Sequence, residues 1–380
     1  MTASARQIKR IAINTGGGDA PGLNAVIRAV TEAALERGWE IFGIRKGFHG
    51  LLDIQSDDDL QDPQRVIRLD ADAVHGIGHL GGTILGTTNS GNPFEFPMPN
   101  EAGELVAVDR SDEIMAGFER LGVDALVAIG GDGSMRIAQR FADKGLPIVG
   151  VPKTIDNDLN GTVVTFGFDT AVTVATAAID RLHSTAESHE RVMVVEVMGR
   201  YAGWIALHAG LAGSADVILL PEVTFSIDAV IDKINSCRAS SHPYAMVVVA
   251  EGAAPIGGAM TFRGAAGIGH EGKLGGIGEQ VAQAIRQRTA HEVRTVVLGH
   301  LQRGGSPTAR DRLIAYRFGA AAVRALASGY NNVMVALDPP NVRPVPLADA
   351  TARMKSVPLD GDTIKTVRDL EISLGELPPG

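Results

Sequence analysis

The strongest constraint on this chain is a recurring unit: a short apolar run that ends in a Gly, Pro or Asp turn and leads into a helix-like stretch. The apolar runs lie at 11–14, 125–129, 148–151, 192–197, 217–220, 245–250 and 295–298. Helical spacing follows at 25–37, 134–144, 170–186, 278–288 and 311–327. Strands that read as unbroken apolar runs and alternate with helices belong to parallel sheets covered on both faces, so an α/β fold is expected. In such sheets ligands sit beyond the carboxyl ends of the strands, which makes the residues directly after each run the candidates for chemistry. With 380 residues and about 150 per domain, two domains are expected.

Charge and composition exclude several classes. A net charge of −9 argues against nucleic-acid or membrane partners, and any anionic ligand must be met by a local group of Arg and Lys. The single cysteine, Cys237, excludes an intramolecular disulfide, and no C-x-x-C or paired-His spacing suggests a zinc site. Residues 1–10 lack a signal-peptide core and no apolar run approaches the ~20 residues of a membrane span, so a cytoplasmic location is expected. The 46 glycines cluster beside polar residues, a pattern suited to phosphate-binding turns.

The first run leads into Thr15-Gly16-Gly17-Gly18-Asp19-Ala20-Pro21-Gly22-Leu23-Asn24, where backbone N–H groups can cradle phosphate at a helix N-terminus. A tight turn without a ligand explains these glycines equally well, and the segment fits neither G-x-G-x-x-G nor the phosphate-loop pattern ending in Lys-Ser/Thr. The run 125–129 enters Gly130-Gly131-Asp132-Gly133-Ser134 and then a helix. Its glycines let a polyphosphate lie against the backbone, and Asp132 suits Mg²⁺, which takes one or two carboxylates plus phosphate oxygens. The plainer account is an Asp that closes the turn before a helix capped by Ser134. The run 148–151 enters Pro152-Lys153-Thr154-Ile155-Asp156-Asn157-Asp158. Two carboxylates and a Lys so close together permit proton abstraction, metal positioning and stabilisation of a phosphoryl group in transfer; the alternative is a solvated acidic turn.

Taken in order with Met198-Gly199-Arg200, Ala250-Glu251-Gly252 and Gly299-His300-Leu301-Gln302-Arg303-Gly304-Gly305, these segments resemble the phosphofructokinase family from residue 11 to about 324. The resemblance implies two Rossmann-like doubly wound domains with mainly parallel sheets facing across an active-site cleft. Residues 1–167 plus about 302–352 would bind the donor with Mg²⁺, and 168–301 plus about 353–380 would bind fructose 6-phosphate. The implied reaction is phosphoryl transfer to the sugar's 1-hydroxyl, a step of glycolysis. Asp156 would be the general base and Asp132 the Mg²⁺ ligand, with Asp158 close behind. Thr154, Lys153 and Arg200 would face the phosphoryl group in flight. Gly17, Gly131, Gly133 and Ser134 would line the donor. Glu251 would bond sugar hydroxyls, and Arg191, Arg294, His300 and Arg303 would grip the 6-phosphate. Ile155, Met198, Gly199, Leu301 and Gln302 would complete the acceptor contacts, together with Thr154, Asp156 and Arg200. Arg191 and Arg294 would enter from a neighbouring subunit, implying a homodimer or homotetramer.

Two positions bear on the donor and point in different directions. Pyrophosphate-using relatives carry Asp directly after the metal-binding Asp, filling and repelling the place of the ATP α-phosphate; here that residue is Gly133. The same relatives carry Lys at the position of Lys153, where typical ATP users have Gly. A buried Asp against a phosphate is costly, whereas Lys can bend away from a nucleotide, so ATP is expected, with pyrophosphate the alternative. The combination, with an Arg-free loop at 86–94, resembles the family's mixed-substrate branch. Glu32 one turn after Arg28 would repel a phosphate effector, so weak nucleotide-effector control is expected. A catalytically silent sensor of sugar phosphate or nucleotide would have lost Asp132 or Asp156, and both are present. A dinucleotide-dependent oxidoreductase would need the missing G-x-G-x-x-G, and a lipid or NAD kinase has no place for the downstream motifs. Residues 62–96 read as a long polar surface loop with some strand, and the segment from 341 onward as a packed appendage with a frayed end at Pro378-Pro379-Gly380.

Overall fold

The computed structural model describes residues 8–89, 91–239, 243–264, 267–268 and 272–377. The expectations for residues 1–7, Ser90 and the Pro378-Pro379-Gly380 end lie outside these described residues. Every apolar run becomes a strand, because Ile, Val and Ala are buried on both faces there. The chain opens with β1 (Arg10–Thr15), α1 (Leu23–Leu35), β2 (Glu40–Ile44) and β3 (Val66–Leu69). A hairpin of β4 (Phe96–Pro99) and β5 (Leu105–Val108) precedes α2 (Ser111–Leu121), β6 (Ala125–Gly130), α3 (Asp132–Asp143), β7 (Ile148–Thr154) and the short β8 (Phe166–Gly167). The long α4 (Phe168–Ser188) leads to β9 (Val192–Val197), α5 (Trp204–Ala212), β10 (Val217–Leu219), α6 (Ile227–Ala239) and β11 (Ala245–Ala250). Then come β12 (Phe262–Gly264), β13 (Lys273–Leu274), α7 (Ile277–Arg288) and β14 (Val293–Val297). Helix α8 (Ala309–Ala327) returns the chain to β15 (Val333–Asp338) and β16 (Asn341–Pro346), and α9 (Leu347–Thr351) and α10 (Asp362–Asp369) follow.

The strands form two main sheets. The larger has the order β16-β15-β7-β6-β1-β2-β3, with β8 beside β7, and the smaller the order β10-β11-β9-β14. Pairing is parallel throughout the smaller sheet and from β15 to β2 in the larger; only the outer strands β3 and β16 run antiparallel. The fold is therefore α/β with mainly parallel sheets. Parallel pairing gathers strand ends. The exits of β1, β6 and β7 adjoin one another, as do those of β9, β11 and β14, and both groups border one cleft.

Residues 62–96 correct one expectation. The expected strand is present as β3 and many of the residues are exposed, but the segment is not only a surface loop: Val74 and Leu85 are fully buried, Thr15 Oγ1 donates to Gly86 O at 2.8 Å, and Gly17 N donates to Thr88 O at 3.1 Å. Threonines that read as solvated polar residues bond backbone carbonyls instead, with Thr87 Oγ1 on Gly17 O at 2.5 Å. The C-terminal segment packs as expected. It supplies the edge strand β16 and then returns to the smaller sheet, where Ile218 N donates to Ser373 O at 2.8 Å. Among the described residues, no helix is long and apolar enough to cross a membrane.

Candidate active site

Three loops leave β1, β6 and β7 side by side. Gly16 N donates to Ile129 O at 2.9 Å, and a Cβ on Gly16 would stand 2.8 Å from Ser134 Oγ, so small residues let these loops touch. Ser134 is not the helix cap: α3 begins at Asp132 after Gly131, leaving Ser134 inside the first turn. Asp132 thus lies where the helix dipole favours a carboxylate, and it pairs with Arg136 at 2.9 Å. Arg136 and Arg140 both border the cleft, with the Arg140 guanidinium 3.8 Å from the centre of the Phe94 ring. These cations stand near the Arg-free 86–94 loop, and their spacing of four and eight residues from Asp132 was a sequence signal that the loop motifs overshadowed. A Cβ on Gly133 would meet nothing within 4 Å.

The loop after β7 holds the most unusual groups. Lys153 is 3% exposed and donates to Gly18 O. Burial, and next the nearby Arg303 charge, pull its pKa down to about 7 against the attraction of Asp156. Thr154 Oγ1 accepts from Asp156 N at 3.0 Å and donates to Asp156 Oδ2 at 3.3 Å, which orients the carboxylate. The other oxygen, Asp156 Oδ1, is buried without a hydrogen-bond partner among the described residues, as is Asp158 Oδ1. Burial, followed by the charges of Asp156 and Asp132, holds Asp158 well above the usual carboxylate range. Buried acceptors without a partner are rare and call for a missing one.

The smaller sheet contributes charged side chains. Arg200, at a left-handed φ of 53°, follows β9 and donates its backbone N–H to Glu251 Oε1 at 3.1 Å. A Cβ on Gly252 would lie 2.0 Å from Arg200 O, so only glycine allows the turns after β9 and β11 to close on each other. Burial pushes Glu251 up to about 7, the hydrogen bond from Arg200 opposing it. From the far side, Arg303 Nη1 donates to Asp19 O at 2.9 Å and so spans the two halves. Glu196 went unmarked by any motif, although a carboxylate inside an apolar run was the signal. It is 3% exposed and accepts from Gly276 N at 3.0 Å and Gly278 N at 2.8 Å, at the start of α7.

The cleft enclosed by these loops measures about 1440 Å³. It brings together Gly17, Gly131, Asp132, Gly133, Ser134, Lys153, Thr154, Asp156, Met198, Arg200, Glu251, His300 and Arg303. Six expected residues are not in its lining. Ile155 is fully buried in the core, Gln302 is fully buried with its amide on Gly299 O at 3.1 Å, Leu301 is 70% exposed, and Gly199 lies in the turn behind Arg200. Arg191 and Arg294 are farther off, toward the amino ends of β9 and β14, roughly 16 Å and 10 Å along the strands from the first cleft-lining residue of each. Both guanidinium groups pair with Glu292, Arg191 at 2.9 Å. Arg28 donates to Glu32 at 2.8 Å on the surface of α1.

Among the described residues, no group of three or more His, Cys, Asp or Glu side chains forms a metal cage. Mg²⁺ seldom uses one; it takes one or two carboxylates and completes its shell with water and phosphate oxygens. Asp132 at the mouth of α3, with the unpartnered oxygens of Asp156 and Asp158 nearby, fits a cation that arrives with a phosphate.

Comparison with known proteins gives one answer. The family model described as phosphofructokinase matches residues 10–326. The ATP-dependent 6-phosphofructokinase of Chloroflexus aurantiacus is 51% identical over 97% of this chain and 98% of its own length. The pyrophosphate–fructose 6-phosphate 1-phosphotransferase of Amycolatopsis methanolica is also 51% identical, over 92% of this chain and 96% of its own. Among solved structures, Pichia pastoris phosphofructokinase in the T-state superposes with a TM-score of 0.76 at 29% identity, over 98% of this chain but 37% of that longer one. The pyrophosphate-dependent enzyme of Marinobacter aquaeolei gives 0.75 at 23% identity, over 98% and 94%, a likeness of fold.

Proposed function

The chain belongs to the phosphofructokinase family, and from that premise we propose that it is a 6-phosphofructokinase that moves the γ-phosphoryl group of ATP to the 1-hydroxyl of fructose 6-phosphate. The observation that carries this reading is Asp156: a buried carboxylate oriented by Thr154, with one oxygen left without a partner among the described residues, in the wall of the cleft where loops from both sheets meet. In the proposed step, Asp156 takes the hydroxyl proton as the sugar oxygen bonds to the γ-phosphorus and the bond to the ADP oxygen breaks. Arg200 and Thr154 face the group in transfer. Lys153, near neutrality without ligand, becomes a full cation as donor phosphates approach, because their charge favours the ammonium. Held by Asp132 and the donor, Mg²⁺ would offset the repulsion between phosphate oxygens and the neighbouring carboxylates.

The proposed division of labour follows the sheets. Residues 1–167 plus about 302–352, built on the larger sheet, bind donor and metal; residues 168–301 plus about 353–380, centred on the smaller sheet, bind the sugar phosphate through Glu251 and His300, with Arg303 joining them from the start of the 302–352 segment. Arg191 and Arg294 serve the cleft of a neighbouring subunit, and their place at the strands' amino ends supports self-association. For the donor, the space at Gly133 favours ATP, and Lys153 is tied to Gly18 O and so drawn toward the first glycine loop. Pyrophosphate is the second reading, favoured by the buried Lys153 itself. Initial rates with each donor, measured side by side on the wild type and on G133D, test the choice. ATP should be the faster donor, and G133D should lower ATP turnover about 10-fold or more relative to pyrophosphate. Faster turnover with pyrophosphate in the wild type would overturn the ATP assignment.

A further inference from the structure

The loop that carries Asp156, Asn157 and Asp158 is not held by its own sheet alone. A strap at 354–357, from the C-terminal segment, runs across it. Met354 bridges Leu159, and Lys355 N donates to Asp158 O at 2.7 Å. The same strap is fastened to elements of the smaller sheet: Trp204 Nε1, at the start of α5, donates to Lys355 O at 2.9 Å, and Val357 N donates to Glu222 Oε1 at 2.8 Å. Glu222 also accepts from Gly203 N at 3.0 Å, so its carboxylate joins the strap to the turn before α5.

The Lys355 ammonium turns inward and meets three oxygens: Asn157 Oδ1 at 2.9 Å, Thr162 O at 3.0 Å and Val163 O at 3.1 Å. Those acceptors use all three of its donors. Asn157 stands between the two carboxylates at a left-handed φ of 54°, and its Oδ1 also accepts from Thr165 N at 3.1 Å. Asn enters that region more readily than other non-glycine residues, so what its surroundings fix is the direction of its side chain. Here the surroundings are one amide hydrogen and one ammonium, and the ammonium comes from a residue 198 positions away.

We infer that Lys355 is a positioning residue for phosphoryl transfer: through Asn157 it fixes the backbone between Asp156 and Asp158, and through the strap it sets that loop against the sugar-binding half. The inference rests on the function proposed above. Lys355 is not in the cleft lining, although Met354 is, so its effect passes through Asn157 and the loop and not through substrate contact.

The test uses the full chain. K355M keeps the length of the side chain and removes the charge. Its kcat with ATP and fructose 6-phosphate should fall about 100-fold, while KM for the sugar stays within about twofold. The double variant K355M/N157A should lose little more than the worse single variant, since both changes break one device. Ethylamine should restore turnover to K355A in a saturable way and leave the wild type unaffected, a response that mere loss of stability would not give. If K355M does not accumulate as folded protein, K355Q carries the same test, because its shorter, neutral amide cannot reach all three oxygens and should lower kcat about 10-fold. Wild-type kcat in K355M or K355Q, or losses that multiply in the double variant, would overturn the inference. A wild-type chain without transfer activity would overturn the functional reading, and this inference with it.

Discussion

The two walls of the cleft recognise by different means. The larger sheet offers backbone and space: glycine loops laid against each other, an open site at Gly133, and carboxylates gathered where a cation can join them. The smaller sheet offers charged side chains, each fixed by an exact fit of its turn, such as Arg200 against Glu251 and Gly252. Backbone and cavity suit a flexible polyphosphate, whose phosphates are alike. Directed side chains suit a sugar phosphate, whose hydroxyls must be told apart. The walls differ in completeness as well. The first holds its expected residues within one chain, whereas Arg191 and Arg294 lie at the wrong ends of their strands to serve their own cleft.

The largest effect should come from the group that works between the walls. D156S should lower kcat about 10²- to 10⁴-fold with fructose 6-phosphate binding largely kept; a near-normal rate would remove Asp156 as the base. Next in size, R294A should raise KM for fructose 6-phosphate about 10- to 100-fold, the worth of a hydrogen bond to a charged group. Mixing R294A chains with D156S chains should then recover activity, because each hybrid interface supplies one intact cleft. No recovery in demonstrably mixed oligomers would mean that Arg294 does not act across subunits.

The smallest effect is on stability. Glu251 has a folded pKa of about 7 against an ordinary value of 4.5, so its contribution to stability is fully present below about pH 4.5 and is lost as pH rises toward 7. In calorimetry of the ligand-free protein, E251Q should flatten the fall in Tm across that window by about 2–4 °C. Part of the slope should survive, since burial also raises Asp311, to about 6. An unchanged slope would show that Glu251 does not carry this linkage.

Much of this was legible in the sequence. All seven apolar runs are strands, with ends within three residues of those expected, because burial on both faces leaves an uninterrupted signal. Strands β3 and β16 were not so marked; they are edge strands with mixed polarity, as in Asn341–Pro346. Helix α5 was not marked either, because a helix buried on most sides shows no amphipathic period. In the cleft, residues that directly follow strands carried their own signal. Lys355 carried none: it stands in an unremarkable C-terminal stretch, and only the folded chain brings it to Asn157. Glu196 and Arg136 were visible as oddities of pattern, and their meaning depended on which strand ends adjoin.

The open site beside Gly133 has an evolutionary consequence. Two of the four glycine codons become aspartate codons by a single base change, and a Cβ added there meets no neighbour within 4 Å among the described residues. On the reading offered here, the choice between nucleotide and inorganic donor lies one mutation away with the scaffold undisturbed, so closely related lineages can diverge in donor while the sugar-binding wall stays as it is.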